Sequence, residues 1–314
     1  MVTDNSKKDW LVIVNPNAGK GKGEKDWHKI AKLLRDHLKF QAVFTGYKRH
    51  AIKLGFQGIE QGYKKIIVVG GDGTMNEVVN AVFKQKRIPT DQITLGMITV
   101  GTGNDWARMF GISHKYREAV ETILQKKIFL QDAGIVSYFK EDQPEERYFI
   151  NMAGLGFDAM VVEKANRQKE MGKSGMVVYL ANILSNLWKY NHLHTHIRID
   201  HHVIKEEVFT ISIGIGRYTG GGMRQTPDSI PDDGLFDLTV IKKMKKLNVL
   251  RSLPMLYNGK IKRHPKVHSF RGSHIRIDSD PPINVEVDGE SLGHSPIEIK
   301  SLPKSIRVIT GLRS

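Results

Sequence analysis

The chain has 314 residues, 40% of them hydrophobic, with 48 Lys and Arg against 33 Asp and Glu and no cysteine. That length predicts two domains, and the missing thiols exclude disulfides and thiolate metal sites and favour a reducing, cytoplasmic setting. A surplus of 15 positive charges points to polyanionic partners such as nucleotides, nucleic acid or anionic lipid headgroups; with neither a signal-like core in "MVTDNSKKDW" nor any window near the roughly 18 apolar residues of a membrane span, a soluble protein is expected.

In chain order, "WLVIVNPNAG" reads as a strand entering a glycine turn. "EKDWHKIAKLLRDHL" follows as a helix with Trp27, Ile30, Leu33, Leu34 and Leu38 on one face. "QAVFT" is a short strand, Ala51 to Gln61 a helix, "KKIIVVGG" a strand, Met75 to Phe83 a helix and "ITLGMITV" a strand ending in "GTGND". Strands separated by helices of this length predict a parallel sheet with crossovers. After about Asp132 the pattern changes to short runs with period-two alternation, including "VFTISIGIG", "LFDLTVI" and "SIRVITGL". Helical stretches around Gly175 to Tyr190 and Lys246 to Tyr257 interrupt them. The expectation is an α/β fold in two lobes: an N-terminal nucleotide-binding domain with a parallel sheet at 1–135, and a mainly antiparallel β-sandwich domain at 136–314, whose last strand is a candidate to return to the first domain.

The turn "GGDGT" at 70–74 stands between a strand and a helix N-terminus, where free backbone N–H groups and the helix dipole favour an anion. Asp72 would repel a bare phosphate, and a divalent cation between the two converts the repulsion into a bridge. "GTGND" at 101–105 repeats the design with Asp105, and "NPNAG" at 15–19 adds a third glycine turn. Each alone fits a tight turn with a cap; together they predict one crevice at the carboxyl edge of the sheet. A Walker loop is absent, since "GKS" at 172–174 has Arg167 at the first glycine position and "GKGKG" at 19–23 lacks the Ser or Thr.

Taken with "DAGIV" at 132–136, "NMAGLGFDA" at 151–159, "GGGMRQTPDSIPDDGLFDL" at 220–238 and "VEVDGE" at 285–290, these segments resemble the diacylglycerol kinase catalytic family, specifically the soluble bacterial lipid kinases related to sphingosine and ceramide kinases. The resemblance implies an ATP- and Mg2+-dependent transfer of the γ-phosphoryl group to a lipid hydroxyl, in a cleft between the lobes. It implies ATP contacts from Asn15, Pro16, Asn17, Ala18, Gly19, Thr45, Gly71, Asp72, Gly73, Thr74, Met75, Asn76, Glu77, Thr102 and Asn104. Asp72 and Asp105 would hold Mg2+ through water, Asp132 would belong to the network linked to that metal, and Glu290 would be the general base. Asp233, with the carbonyls of Ile230 and Leu235, would hold a second, structural Mg2+. The run after Thr45, "GYKRHA", departs from the family's usual Gly-His-Ala ending. The implied partners are ATP and a lipid at an anionic membrane surface, peripheral to the inner face; nucleic acid is not expected, and a homodimer is allowed but not required. An NAD kinase shares the Gly-Asp-Gly loop, and a silent nucleotide or membrane sensor would bind ATP without turnover.

Other features have plain readings. His192, His194 and His196 share one strand face, with metal-like spacing or as a solvated face. "GMVVYLANILSNLWKY", with Val177, Leu180, Leu184, Leu187 and Trp188, suits core packing or a lipid-facing wall. The basic run from Lys242 to Lys266 suits a solvated face or membrane docking. "NVEVDGESL" reads as a hairpin with Asp288-Gly289 in a type I′ turn and Glu290 opening the return strand.

Overall fold

The computed structural model describes residues 9–171 and 176–312. The "GKS" run at 172–174, Gly175 and the side chains of Val177 and Leu180 lie outside the described residues. The chain divides into two compact units, one reaching to Leu130 and resuming at Ser305, the other spanning Gln131–Lys304.

The first unit is a parallel α/β layer. Its elements are β1 (Trp10–Val14), α1 (Ala18–Lys25), α2 (Trp27–Arg35), β2 (Phe40–Phe44), α3 (His50–Glu60), β3 (Lys65–Gly70), α4 (Asp72–Lys84), β4 (Thr94–Thr99), α5 (Asp105–Met109) and α6 (Tyr116–Gln125). Strand order is β2-β1-β3-β4, every pair parallel. β1 and the apolar run of β3 are buried throughout, as strands covered by helices on both faces must be. In α2, Ile30, Ala31 and Leu34 are buried, while Trp27 lies edge-on to Phe40 and Phe44.

The second unit is antiparallel. It holds most of β5 (Ile128–Lys140), then β6 (Gln143–Phe149), β7 (Met152–Gly156), α7 (Phe157–Glu170), α8 (Met176–Leu187), β8 (Leu193–Ile199), β9 (His202–Gly214), β10 (Phe236–Lys242), α9 (Lys246–Tyr257), β11 (Val267–Gly272), β12 (His274–Asp280), β13 (Asn284–Val287) and most of β14 (Glu290–Ile309). Two long strands build the sandwich. β9 pairs with β8 through its first half and with β7 through its second; β14 pairs first with β13 and then with β12. Each passes from one layer to the other, as strands do at the corners of packed sheets. The enclosed core holds Phe149, Leu155, Ile211, Ile213, Phe236 and Val285.

The end of β14 belongs to the first unit, where Arg307 and Val308 pair in parallel with Thr94 and Leu95 of β4. Exposure divides the end of the apolar run at 175–190: Ile183 and Leu187 of α8 are buried, but Leu184 (47%) and Trp188 (64%), just past the helix, face outward, so its described apolar residues serve a core face and an open face at once. On β8, Thr195, Ile197 and Ile199 are buried and His194 and His196 are exposed, the alternation of a half-buried strand; His192 precedes β8, half-buried, with its basicity lowered by burial first and by Lys243 next.

Candidate active site

In the first unit, β1, β3 and β4 are neighbours running in one direction, so the turns that follow them meet at one sheet edge. Asn15 Nδ2 donates to Thr74 Oγ1 at 3.0 Å, and Thr45 N donates to Val14 O at 2.9 Å. Gly19, Lys20 and Gly21 are successive left-handed residues, and a Cβ at Gly19 would stand 1.9 Å from Val100 O. The turns at 71 and 101 touch through backbone, since a Cβ at Gly101 would meet Gly71 Cα at 2.7 Å. The sequence-predicted group of Asn15 to Gly19, Thr45, Gly71 to Thr74 and the 101–105 turn is thus gathered in one place. Thr102 is exposed there, and buried Asn104, at φ 52°, donates to Gly101 O at 2.8 Å.

Three further residues expected to contact ATP, Met75, Asn76 and Glu77, do other work with their side chains. Met75 and Asn76 are fully buried in α4, Asn76 receiving Asn80 Nδ2 at 3.1 Å, so for a ligand they offer backbone only. Glu77 accepts N–H bonds from Arg49 (2.9 Å) and Ala51 (3.0 Å), satisfying the start of α3. This bond fixes the unusual "GYKRHA" loop, in which Arg49 takes φ 66°.

Asp72 does more than occupy a surface turn. Its Oδ2 accepts Asp105 N at 2.9 Å and its Oδ1 accepts Trp106 N at 3.2 Å, which ties α4 to the first turn of α5. Asp105, 5% exposed, has Arg108 Nε at 3.7 Å. The two carboxylates converge over Gly103, where a Cβ would lie 3.4 Å from Asp72 Oδ2 and 3.6 Å from Asp105 Oδ2. Among the described residues no group of three His, Cys, Asp or Glu side chains is placed to hold an ion. Two carboxylates around an open glycine fit an ion that keeps several waters and takes its remaining ligands from phosphates, as Mg2+ does, rather than one caged by protein alone.

In the second unit, Asp132 sits in β5, 1% exposed, and accepts N–H bonds from Gly234 and Lys304 at 2.7 Å each. Burial, with Asp233 and Asp232 nearby, raises its pKa above the ordinary aspartate value. Asp233 accepts Leu235 N at 3.0 Å and pairs with Arg271, while Ile230 is 44% exposed. Among the described residues these acids are not grouped to hold an ion, and Asp233 has Arg271 as its counter-charge.

The hairpin expected at "VDGE" is present: Val287 pairs with Glu290, and Asp288 and Gly289 take φ 49° and 83°. Sequence reasoning missed the acid that secures it. Asp288 Oδ1 accepts the N–H of Asn151 (3.0 Å) and Met152 (2.9 Å), and Oδ2 accepts that of Ile150 (3.0 Å). The second unit also holds an apolar pocket lined by Phe157, Val161, Ile183, Phe209, Val249 and Leu256, to which the run expected as core or lipid-facing wall contributes Ile183. Asp158 stands in its wall, its pKa pushed up to about 6 by burial, with Gln225 Nε2 at 2.9 Å and Ser212 Oγ at 3.3 Å donating to its Oδ2.

In chain order, a parallel α/β unit with glycine turns and paired carboxylates is followed by an antiparallel sandwich unit. The chain belongs to the diacylglycerol kinase catalytic domain family: that family's model matches residues 9–136, and the YegS C-terminal NAD kinase beta sandwich-like domain matches 151–310. It is 27% identical to a diacylglycerol kinase of Staphylococcus saprophyticus, covering 97% of this chain and 96% of the other. To a diacylglycerol kinase of Mycobacterium tuberculosis it is 28% identical, covering 95% and 94%. A crystal structure of a Bacillus anthracis diacylglycerol kinase superposes with a TM-score of 0.72 at 22% identity over 97% of both chains. Yeast NADH kinase shares the fold at a TM-score of 0.56 and 13% identity, over 97% of this chain and 84% of that one.

Proposed function

We propose that the protein is an ATP-dependent lipid kinase that moves the γ-phosphoryl group of ATP to a hydroxyl of diacylglycerol or a related lipid. The observation that carries the reading is the convergence of Asp72 and Asp105 over Gly103 at an edge built from three glycine turns. Phosphoryl transfer asks the protein for alignment, charge neutralisation and a base. The first-turn N–H groups of α4, which as a helix start lack intrahelical acceptors, receive phosphate oxygens. Asn15 and Thr74, already bonded to each other, hold the turns in register. Asp72 and Asp105 would hold Mg2+ through water, and that ion supplies charge neutralisation at the phosphates. Glu290 takes the proton of the lipid hydroxyl as its oxygen bonds to the γ-phosphorus and the bond to the β-phosphate oxygen breaks, releasing ADP.

The pocket of the second unit supports a lipid acceptor, because its mostly apolar lining suits an acyl chain better than a charged dinucleotide. A second, structural cation at Asp233 and the carbonyls of Ile230 and Leu235, near Asp132, belongs to the same proposal. An anionic membrane is the proposed working surface: residues 242–266 contain nine Lys or Arg and no acid, and Trp188 and Leu247 are exposed. The test is direct. Purified protein is given ATP with dispersed diacylglycerol, and separately ATP with NAD, and labelled products are resolved by chromatography. Labelled lipid is the expected product; phosphorylated NAD in its place assigns an NAD kinase, and ATP binding without turnover assigns a sensor.

A further inference from the structure

Glu286 plays no part in the reaction as written, yet it is more deeply buried than the base it precedes. It is 4% exposed, and its Oε2 accepts Gly289 N at 2.9 Å, inside the turn that delivers Glu290. Across the sheet its register partner is Gly154 of β7. A Cβ at that position would stand 2.6 Å from Glu286 Oε1, so the glycine makes the space the carboxyl occupies. The same point lies 3.1 Å from Asp158 Cβ, in the first turn of α7 and in the pocket wall. The turn is also held by Asn166 Nδ2, likewise on α7, donating to Gly289 O at 3.0 Å. Burial, then the charges of Asp158, Asp288 and Glu290, raise the Glu286 pKa well above the ordinary glutamate value. A neutral carboxyl still accepts the Gly289 N–H through its carbonyl oxygen.

We propose that Glu286 is a positioning residue for Glu290: it anchors the Asp288-Gly289 turn, against Gly154 and the Asp158 wall of the apolar pocket. The inference rests on the lipid kinase reading, and on Glu290 as its base. A base must sit within about 3 Å of the proton it takes, and a displacement near 1 Å elsewhere in a site costs up to about 100-fold. A turn free to shift would therefore slow transfer without disturbing ATP.

The test uses the whole protein with ATP and dispersed diacylglycerol. Glu286→Gln keeps an oxygen for the Gly289 N–H and is expected to stay within about 3-fold of wild type. Glu286→Leu removes the acceptor at similar volume and should lower kcat by at least about 10-fold with KM for ATP unchanged; Glu286→Ser takes its place if Leu prevents folding. The pair Glu286→Leu with Glu290→Gln should be no slower than Glu290→Gln alone, because a residue acting through Glu290 has nothing left to position. Ile277→Ala, which opens the sandwich core at β12 away from this turn, should lower the melting temperature without the kcat loss. Multiplying losses in the double variant, a Gln variant as slow as Leu, an active Leu variant, or an equal kcat loss in Ile277→Ala would each overturn the assignment. A fully active Glu290→Gln would instead overturn the base, and the positioning role with it. Hydrogen exchange separates these cases: faster exchange at Gly289 in the Leu variant but not the Gln variant shows the anchor whatever the turnover.

Discussion

Replacing Asp72 tests whether one carboxylate does two jobs. Its oxygens receive the N–H groups of Asp105 and Trp106, so Asp72→Ala leaves the start of α5 to water. Loss of a capping oxygen costs about 0.5–2 kcal/mol, and losing both bonds here should fall toward the upper half of that range, a drop of a few degrees in Tm. Asp72→Asn keeps a carbonyl oxygen for one of the two amides, so roughly half of that cost is expected. Catalysis should not follow this gradation. Either variant removes the charge proposed to face Mg2+, and a loss of at least about 100-fold in kcat is expected, the scale of about 2.7 kcal/mol in the transition state. The assay is ATP-dependent lipid phosphorylation at saturating Mg2+, beside thermal melts of all three proteins. Asn and Ala should differ in Tm and agree in inactivity. A near-normal rate for Asp72→Asn would reduce the residue to a helix cap and refute the metal account.

Vesicles containing anionic lipid should raise turnover over neutral ones, and added salt should erase the gain, since each Lys or Arg near such a surface contributes about 1 kcal/mol; equal, salt-insensitive rates on both would remove the membrane from the proposal. Chelation should lower the Tm of wild type more than that of Asp233→Asn; identical shifts would leave Asp233 with Arg271 as its counter-charge and no role for a cation. Asp158, raised to about 6 from 3.8 by burial, binds its proton more tightly folded than unfolded. Its contribution to stability is therefore complete below about pH 4 and is lost as pH rises through 6, by a few kcal/mol at most. Urea melts across that window should show the fall in wild type and a flatter profile in Asp158→Asn, and parallel profiles would contradict the buried-acid assignment.

The glycine turns were legible because glycine is demanded by geometry that sequence displays: a strand, a turn where backbones touch, then a helix. Gly19 against Val100 and Gly71 against Gly101 are that demand in atomic form. The change from crossover spacing to period-two alternation near residue 132 likewise marked two architectures. What could not be read were partners distant along the chain. Glu77 belongs to the segment proposed to hold phosphate, but its carboxylate is spent on amides 26 and 28 residues earlier. Asp158 meets Gln225 across 67 positions, and no local pattern announces such a pair. α8 was ambiguous for a different reason: an all-round apolar helix specifies burial only when something covers each face, and Leu184 and Trp188 remain uncovered.

The segment "VDGE" shows how two readings of one sequence can both be physical. As a hairpin, Asp288 and Gly289 supply the two positive-φ residues of a tight turn, and Glu290 merely begins β14. As a reaction site, Glu290 is a base that must be held still. The second reading depends on the first. A carboxylate on a loose loop spends rotational freedom each time it meets a substrate, whereas one beside a fixed turn has done so on folding. Three N–H bonds to Asp288, one to Glu286 and one from Asn166 fix this turn, more than a two-residue hairpin needs to close. That surplus of anchoring is what the hairpin alone leaves unexplained and what a positioned base requires.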